Sequence, residues 1–350
     1  MAQSQTPRVI EVIAPNLKKR LSGVTSTVIR LVPVQAKSIG IVATGPGLPD
    51  DLPHLPLWRV ALLPRDRWRV WHARRNTEML MGLFLRHVLR RRFRLLFTSA
   101  SQRRHSGYTK WLISKMDGLV AVSQKSAAYL KHPSTVILHG IDTADFTPPA
   151  DKSAVRARLG LPDARLIGCF GRIRAQKGTD LFLDAMIALL PEHPATHAVV
   201  LGRATAEHRE FLAAQKARVA DAGLADWVHF PPEVPPDRVA EYYQALDLFV
   251  APQRWEGFGL TPLEAMACGV PVVATDVGAF SEMLDPPRIG TLVARDDREA
   301  LIAGVRTVLE AGNDLEAAGQ VGRAHVEAHF GIGREAQALI AVYRSLLDTG

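Results

Sequence analysis

Two α/β domains, each a parallel sheet with helices on both faces, are what this sequence predicts. Three observations carry the prediction. Short continuous β-branched runs alternate with helical stretches along the chain, the pattern of strands covered on both faces. The alternation breaks once, at His139-Gly140-Ile141-Asp142 and the Phe146-Thr-Pro-Pro-Ala-Asp151 that follows, and then restarts. At 350 residues, 47% of them hydrophobic, the chain is long enough for two separate cores. Two doubly wound domains joined by a hinge are expected to face each other across a cleft.

In the first domain, residues 1–148, the expected strands are Val9–Ala14, Ile39–Ala43, Arg59–Leu63, Leu95–Ser99, Gly118–Val122 and Thr135–Leu138. Each is a short β-branched or aliphatic run between helical stretches. Between the third and fourth, Asn76–Arg92 reads as a helix. Met79, Leu80, Leu83, Phe84 and Leu85 form its apolar part, and Arg86, Arg90, Arg91 and Arg92 its basic end. Such a helix packs on its own sheet, and its basic end suits an anionic membrane surface.

The second domain, residues 149–334, repeats the pattern. Strands are expected at Leu166–Phe170, His197–Leu201, Val228–Phe230, Leu248–Ala251, Val270–Ala274 and Thr291–Val293. Helices are expected from Thr179, through Glu207–Ala222, from Pro236 and from Pro262. A last helical stretch, Glu335–Leu347 within residues 335–350, is placed to cross back to the first domain.

Charge divides the halves. Residues 1–148 carry 23 Lys and Arg against 8 Asp and Glu, a net of +15, and the remainder carries 20 against 27, a net of −7. The excess clusters at Arg65–Arg69, Arg74-Arg75, Arg90–Arg92 and Arg103-Arg104. One such run is a solvated face, but several on one domain indicate a polyanionic partner such as anionic lipid, a phosphorylated glycolipid or nucleic acid. The basic clusters lack the interleaved aromatics of single-strand binders, so nucleic acid is not the expected partner. No apolar run has the length of a membrane span, and the N-terminal residues do not read as a secretory signal, so a cytoplasmic location is expected. Cys169 and Cys268 read as buried thiols, and no Cys/His cluster has metal spacing.

In open parallel sheets ligands bind beyond the carboxyl ends of the strands, where glycine-rich turns enter helices. Three such turns stand out: Leu21-Ser22-Gly23-Val24, Gly171-Arg172-Ile-Arg174-Ala-Gln-Lys177-Gly178, and Glu256-Gly257-Phe258-Gly259-Leu260-Thr261-Pro262-Leu263-Glu264. In the second, Arg172 and Lys177 beside a helix start suit a diphosphate. The third sets two carboxylates eight residues apart on a turn that opens a helix, which suits a polyol next to a phosphate. Thr261 to Glu264 also reads as a capping box, with Thr261 as N-cap and Pro262 first in the helix, and by itself that reading needs no ligand. Neither the Gly-x-Gly-x-x-Gly fingerprint nor a Walker loop is present, which removes the dehydrogenase and P-loop ATPase readings. A glycosidase needs its carboxylates flanking a scissile bond, whereas one of these starts a helix. A diphosphate clamp with hydroxyl-binding carboxylates describes a sugar-nucleotide site.

These residues resemble the retaining GT-B glycosyltransferases that carry the Glu-x7-Glu motif, often called family 4. The match covers the second half: Gly171-Arg172 to Lys177-Gly178, Tyr243 with Asp247–Pro252, and Glu256 to Glu264 running on into Ala-Met-Ala-Cys-Gly-Val-Pro. More narrowly, Phe97–Lys110, which contains Gln102-Arg103-Arg104-His105, is similar to bacterial lipopolysaccharide core mannosyltransferases.

The resemblance implies that Arg172 and Lys177 hold the nucleotide diphosphate and offset charge on the leaving group. It implies that Glu256 binds hydroxyls of the donor sugar beside the backbone of Gly257, Phe258 and Gly259, and that Glu264 takes the ribose. Leu260 and Thr261 would offer N–H groups to the phosphates, and Gly23 would let the acceptor side approach. The chain departs from the family where two glycines are usual and it has Ser22-Gly23, and where Asn-Gly is usual at the hinge and it has His139-Gly140. The histidine that many members place after the fourth strand is replaced by Thr98-Ser99-Ala100, which leaves Arg103 and His105 as the nearest contacts for sugar or acceptor.

The expected protein is thus a GT-B enzyme with no metal and no cofactor beyond its donor. It would move mannose from GDP-mannose to a Kdo-containing lipid A or inner-core acceptor, peripheral to the inner membrane through its basic domain. The alternatives are a UDP- or ADP-sugar donor with another anionic glycolipid, and, from another class, a non-catalytic nucleic-acid or anionic-membrane binding protein. Oligomeric state is not legible.

Overall fold

A computed structural model describes residues 9–19, 23–284, 289–311 and 314–349. Leu21 and Ser22 of the first glycine turn lie outside the described residues. The chain forms two compact units, one running to Gly140 and resuming at Ile332, the other Ile141–Gly331.

The first unit runs β1 (Val12–Pro15), α1 (Gly23–Ala36), β2 (Ile41–Thr44), α2 (Leu57–Leu62), β3 (Arg69–Ala73), α3 (Asn76–Leu83), β4 (Phe93–Ser99), α4 (Gly107–Ile113), β5 (Gly118–Ala121), α5 (Gln124–Leu130) and β6 (Thr135–Val136). Its strands pair in parallel in the order β2-β1-β3-β4-β5-β6. Chain order reverses at the β1/β3 pair, so the loops after these strands lie side by side. Asn16, after β1, accepts on its side-chain oxygen from Thr25 at 3.0 Å and from Arg75, after β3, at 2.9 Å.

The second unit runs α6 (Lys152–Leu159), β7 (Arg165–Phe170), α7 (Thr179–Leu189), β8 (Thr196–Leu201), α8 (Arg209–Asp221), β9 (Val228–His229), α9 (Val239–Gln244), β10 (Leu248–Ala251), α10 (Thr261–Ala267), β11 (Val272–Thr275), α11 (Phe280–Met283), β12 (Gly290–Val293), α12 (Arg298–Glu310) and α13 (Asp314–His329). Its sheet is also parallel, in the order β12-β11-β10-β7-β8-β9. Read from its own first strand, this is the dinucleotide-fold order, with the reversal between β7 and β10. One face carries a core of Ile167, Val200, Val250 and Val273 with Phe182 and Met186 of α7 and Val305 of α12. On the other face Phe170, Tyr243 and Phe249 pack ring against ring, with centroids 4.8 to 5.5 Å apart.

One expected strand is corrected. Of the expected strand Arg59–Leu63, all but Leu63, the C-cap, lie in α2, and the third strand is instead Arg69–Ala73. The physical reason is burial. Of the α2 helix only Val60 is buried, whereas every residue of β3 is buried, Trp71 fully. Charge disguised the strand, because Arg69 is itself buried and donates to the carbonyls of Ile10 and Pro64 and to Asp66. The expected Asn76–Arg92 helix stops at Val88, its last turn widening to a π-turn over Phe84–Val88 before Arg90 takes φ 50° into β4.

The helix α14 (Ile332–Asp348) belongs to the first unit. Ala336, Leu339, Ile340 and Tyr343 follow helical spacing and join the core of β1, β2 and α1. Its polar anchors are specific. Glu335 accepts from the Gly140 amide at 2.7 Å and from His139 Nδ1 at 2.6 Å. The Tyr343 hydroxyl meets fully buried His72 at Nδ1, 2.7 Å, while Thr98 Oγ1 lies 2.6 Å from Nε2. Arg74 also donates toward Nδ1, at 3.2 Å, so Nδ1 is the acceptor and the proton sits on Nε2.

Burial, then the Arg74 charge, holds the His72 imidazole well below its ordinary range, so it folds neutral. The unfolded chain therefore binds a proton that the folded one refuses. Stability is complete above the ordinary imidazole value and is lost as pH falls through it, by up to about 1.4 kcal/mol per pH unit. Denaturant midpoints at about pH 7.5 and 5 should show this fall, and His72→Gln should flatten it.

Candidate active site

The β7/β10 pairing sets Gly171–Gly178, which follows β7, beside 252–264, which follows β10. The approach leaves room for no side chain at Gly178. A Cβ there would stand 1.9 Å from the Pro252 carbonyl oxygen, and its φ of 72° is left-handed as well. Lys177 ends a short 3₁₀ turn, Ala175–Lys177, and α7 starts directly after Gly178.

This geometry joins the two sequence motifs. The Lys177 ammonium pairs with Glu256 Oε2, and Glu256 Oε1 accepts from the Gly257 amide at 3.0 Å. Both charged side chains remain about one-fifth exposed. Around them the backbone is tight: a Cβ on Gly259 would meet Phe280 at 2.3 Å and Glu256 Cγ at 2.8 Å. Phe258 is buried, and its carbonyl accepts from the Ala279 amide at 3.1 Å. A cation and a carboxylate are thus held together, each within reach of solvent and of an incoming ligand.

Arg254, which the sequence reading did not single out, fixes the two loops to each other. It forms a fork on Asp180 at 2.7 and 2.9 Å, reaches Asp296 at 2.6 Å, and its amide donates to the Gln176 carbonyl at 3.0 Å. The Asp180 hydrogen bonds hold its guanidinium pKa above the ordinary value. Asp180 stands in the first turn of α7, so one arginine ties that helix start to the strand-β10 loop. Its position two residues before Glu256 was the available signal.

Glu264 occupies the fourth position of α10, which begins at Thr261 with Leu260 as N-cap. The expected capping box does not form: no side chain caps this end, and the Thr261 hydroxyl is buried without a partner among the described residues. Instead, Glu264 Oε2 accepts from the Tyr243 hydroxyl at 2.8 Å. Burial, then the Glu264 charge, raises the Tyr243 pKa well above the ordinary phenol value, which keeps it a donor. Tyr243 is fully buried in the aromatic cluster, so the carboxylate is aimed from a rigid base.

The remaining expected residues are placed as follows. Arg172 is exposed and hydrogen-bonds to no group among the described residues. Gly23 begins α1 in the first unit, with nothing within 4 Å of where a Cβ would be. Arg103 is exposed in the same unit, and His105 beside it is partly buried, with Nε2 unpartnered among the described residues. Burial, then Arg103 and Lys110, lowers the His105 pKa. Because Thr261 does not cap, Thr261→Ala should cost less than about 0.5 kcal/mol in denaturant unfolding, where loss of a capping threonine costs about 1 kcal/mol.

The family described as Glycosyl transferases group 1 matches residues 151–325. The lipopolysaccharide core biosynthesis mannosyltransferase LpsB of Rhizobium meliloti (strain 1021) is 54% identical over 352 residues, 97% of this chain and 99% of that protein. LpcC of Rhizobium leguminosarum bv. viciae, with the same description, is 51% identical over 347 residues, 97% of each chain. Among solved structures, Anabaena HepE in complex with UDP superposes with a TM-score of 0.83 at 18% identity, over 96% of this chain and 100% of that one. With two parallel six-stranded α/β sheets and relatives alike over nearly their whole length, the chain has the GT-B fold and belongs to the group 1 glycosyl transferases.

Proposed function

We propose that this enzyme is a retaining, metal-independent mannosyltransferase that moves mannose from GDP-mannose to a Kdo-containing lipid A or lipopolysaccharide inner-core acceptor. The observation that carries the reading is likeness along 97% of the chain to two lipopolysaccharide core mannosyltransferases. The likeness includes the basic first unit, where an acceptor bearing phosphates and carboxylates finds its complement.

In this reading the Lys177–Glu256 pair is the resting form of the donor site. An arriving diphosphate takes the Lys177 ammonium and exposed Arg172, and Glu256 is released to accept from sugar hydroxyls. Glu264, steadied by Tyr243, accepts from the ribose. The bond from C1 to the diphosphate oxygen then breaks, and a bond from C1 to the acceptor oxygen forms on the same face of the sugar. The acceptor's proton passes to the departing phosphate oxygen. Lys177 and Arg172 offset the charge left on the nucleotide, and the protein supplies position and field rather than a covalent partner. Arg103 and His105 are assigned to the acceptor or sugar side.

A panel of nucleotide sugars tests the donor. GDP-mannose should raise the melting temperature more than UDP- or ADP-sugars, with or without EDTA, and a larger shift with a UDP- or ADP-sugar would replace it. Mass spectrometry of a Kdo-lipid A precursor after incubation should show one added hexose; no addition rejects this acceptor. Glu256→Ala should lower transfer about a hundredfold or more while stability moves by less than about 1 kcal/mol, since the ion pair is partly exposed.

A further inference from the structure

Helices α2, α3 and α4 cover one face of the first sheet, packing inward on a shared core of Trp71, Phe93, Leu95, Met79, Leu83 and Leu112. Their outward sides are not the polar surface that such a layer normally presents. Most of the large apolar side chains exposed among the described residues lie here, between 45 and 64% exposed. Trp58 and Leu62 are four apart on α2. Leu80, Phe84 and Val88 continue at intervals of four along α3 and its π-turn, so two residues expected in the core face outward instead. Tyr108 and Trp111 stack at 6.2 Å on α4.

The three stripes are neighbours. Asn76 at the start of α3 donates to Thr109 of α4 at 2.7 Å. At the other end, Arg91 donates to the Leu63 carbonyl at 2.9 Å and Arg65 to the Leu89 carbonyl at 3.1 Å, which joins the ends of α2 and α3.

Charge selects what covers this face. Residues 57–115 hold 15 Lys and Arg against only Asp66 and Glu78. Asp66 is paired with Arg67 and Arg69, and Glu78 is buried against Arg75. Exposed cations therefore border the apolar stripes: the Arg59 guanidinium stands 5.1 Å over the Trp58 ring, Arg90 and Arg92 follow Val88, and Lys110 and Lys115 flank Trp111. A second copy of the same face would oppose like charge to like. Nucleic acid would use the cations and the rings, since Trp58, Tyr108 and Trp111 do stand among them, contrary to the sequence reading. It would leave Leu62, Leu80 and Val88 without a counterpart. Aromatic and aliphatic side chains ringed by arginine and lysine match a bilayer with anionic headgroups.

We infer that α2, α3 and α4 form an interfacial docking face, on which Trp58, Leu62, Leu80, Phe84, Val88 and Trp111 enter the headgroup and upper acyl region of an anionic bilayer. The bordering cations hold the lipid phosphates. The inference rests on the proposed lipid-linked acceptor for its purpose, while docking itself is read without any sugar transfer.

The test is co-sedimentation of the full chain with phosphatidylcholine vesicles, with and without phosphatidylglycerol. Wild-type protein should bind the anionic vesicles, and brominated lipids should quench its tryptophan fluorescence. Phe84→Ser with Val88→Ser should weaken binding at least about tenfold. Val321→Ser, an exposed residue of α13, should change nothing. Trp58→Ser with Leu62→Ser repeats the test on α2 should the first pair lower the melting temperature. Transfer to a deacylated, water-soluble acceptor should be unaffected by either pair, so a failed docking face and a failed acceptor assignment give different results. Unchanged vesicle binding by both pairs overturns the inference. So does a dimer in sedimentation velocity that either pair dissolves, or equally strong binding to DNA that both pairs leave intact.

Discussion

The candidate site depends on one strand pairing, β10 beside β7, where chain order reverses in the second sheet. Parallel neighbours end at the same level, so their following loops must lie together, and the helices they enter depart to opposite faces. Lys177 arrives from one loop and Glu256 from the other. Without that pairing a residue separation of this size would give no contact. Arg254 then converts adjacency into fixed geometry, because its planar fork on Asp180 and its reach to Asp296 tie three segments at once.

The sequence reading succeeded where physics is local and failed where it is not. Strands of the second unit were legible because Leu248–Ala251 or Leu166–Phe170 are buried on both sides and uninterrupted by charge. β3 was missed because Arg69 and His72 are polar, and only the folded chain supplies the carbonyls, Asp66, Thr98 and Tyr343 that satisfy them. The Glu-x7-Glu loop was legible as a motif, yet two chemical details were not. The threonine that looks like a cap finds no partner for its hydroxyl among the described residues, and the second carboxylate is steadied by Tyr243, 21 positions away. Such a partner leaves no spacing signature. The outward turn of Leu80 and Phe84 was equally hidden, since periodicity counts apolar residues without telling which stripe meets the sheet.

The two units divide polarity as well as topology. In the second, Lys177 is paired with Glu256 and Arg254 with two aspartates, while Arg172 stays exposed, so the site rests largely as ion pairs that a polyanionic ligand can rearrange. In the first, the layer of α2, α3 and α4 carries cations that have almost no acidic partners, beside apolar side chains that have no cover. One surface is complementary to itself and the other is complementary to something outside the molecule.

The return of α14 to the first unit has a consequence for biosynthesis. Ala336, Leu339, Ile340 and Tyr343 complete the core beneath β1 and β2, yet they leave the ribosome after the whole second unit. At about 5–20 residues per second, roughly 190 intervening residues delay them by about 10–40 s. During that interval the unit made first lacks one of its helices and His72 lacks its tyrosine, while the unit made second is continuous and can close at once. The first unit can therefore be completed only after the second has been made, and until then the apolar side chains of β1, β2 and α1 that α14 covers stay open on that side.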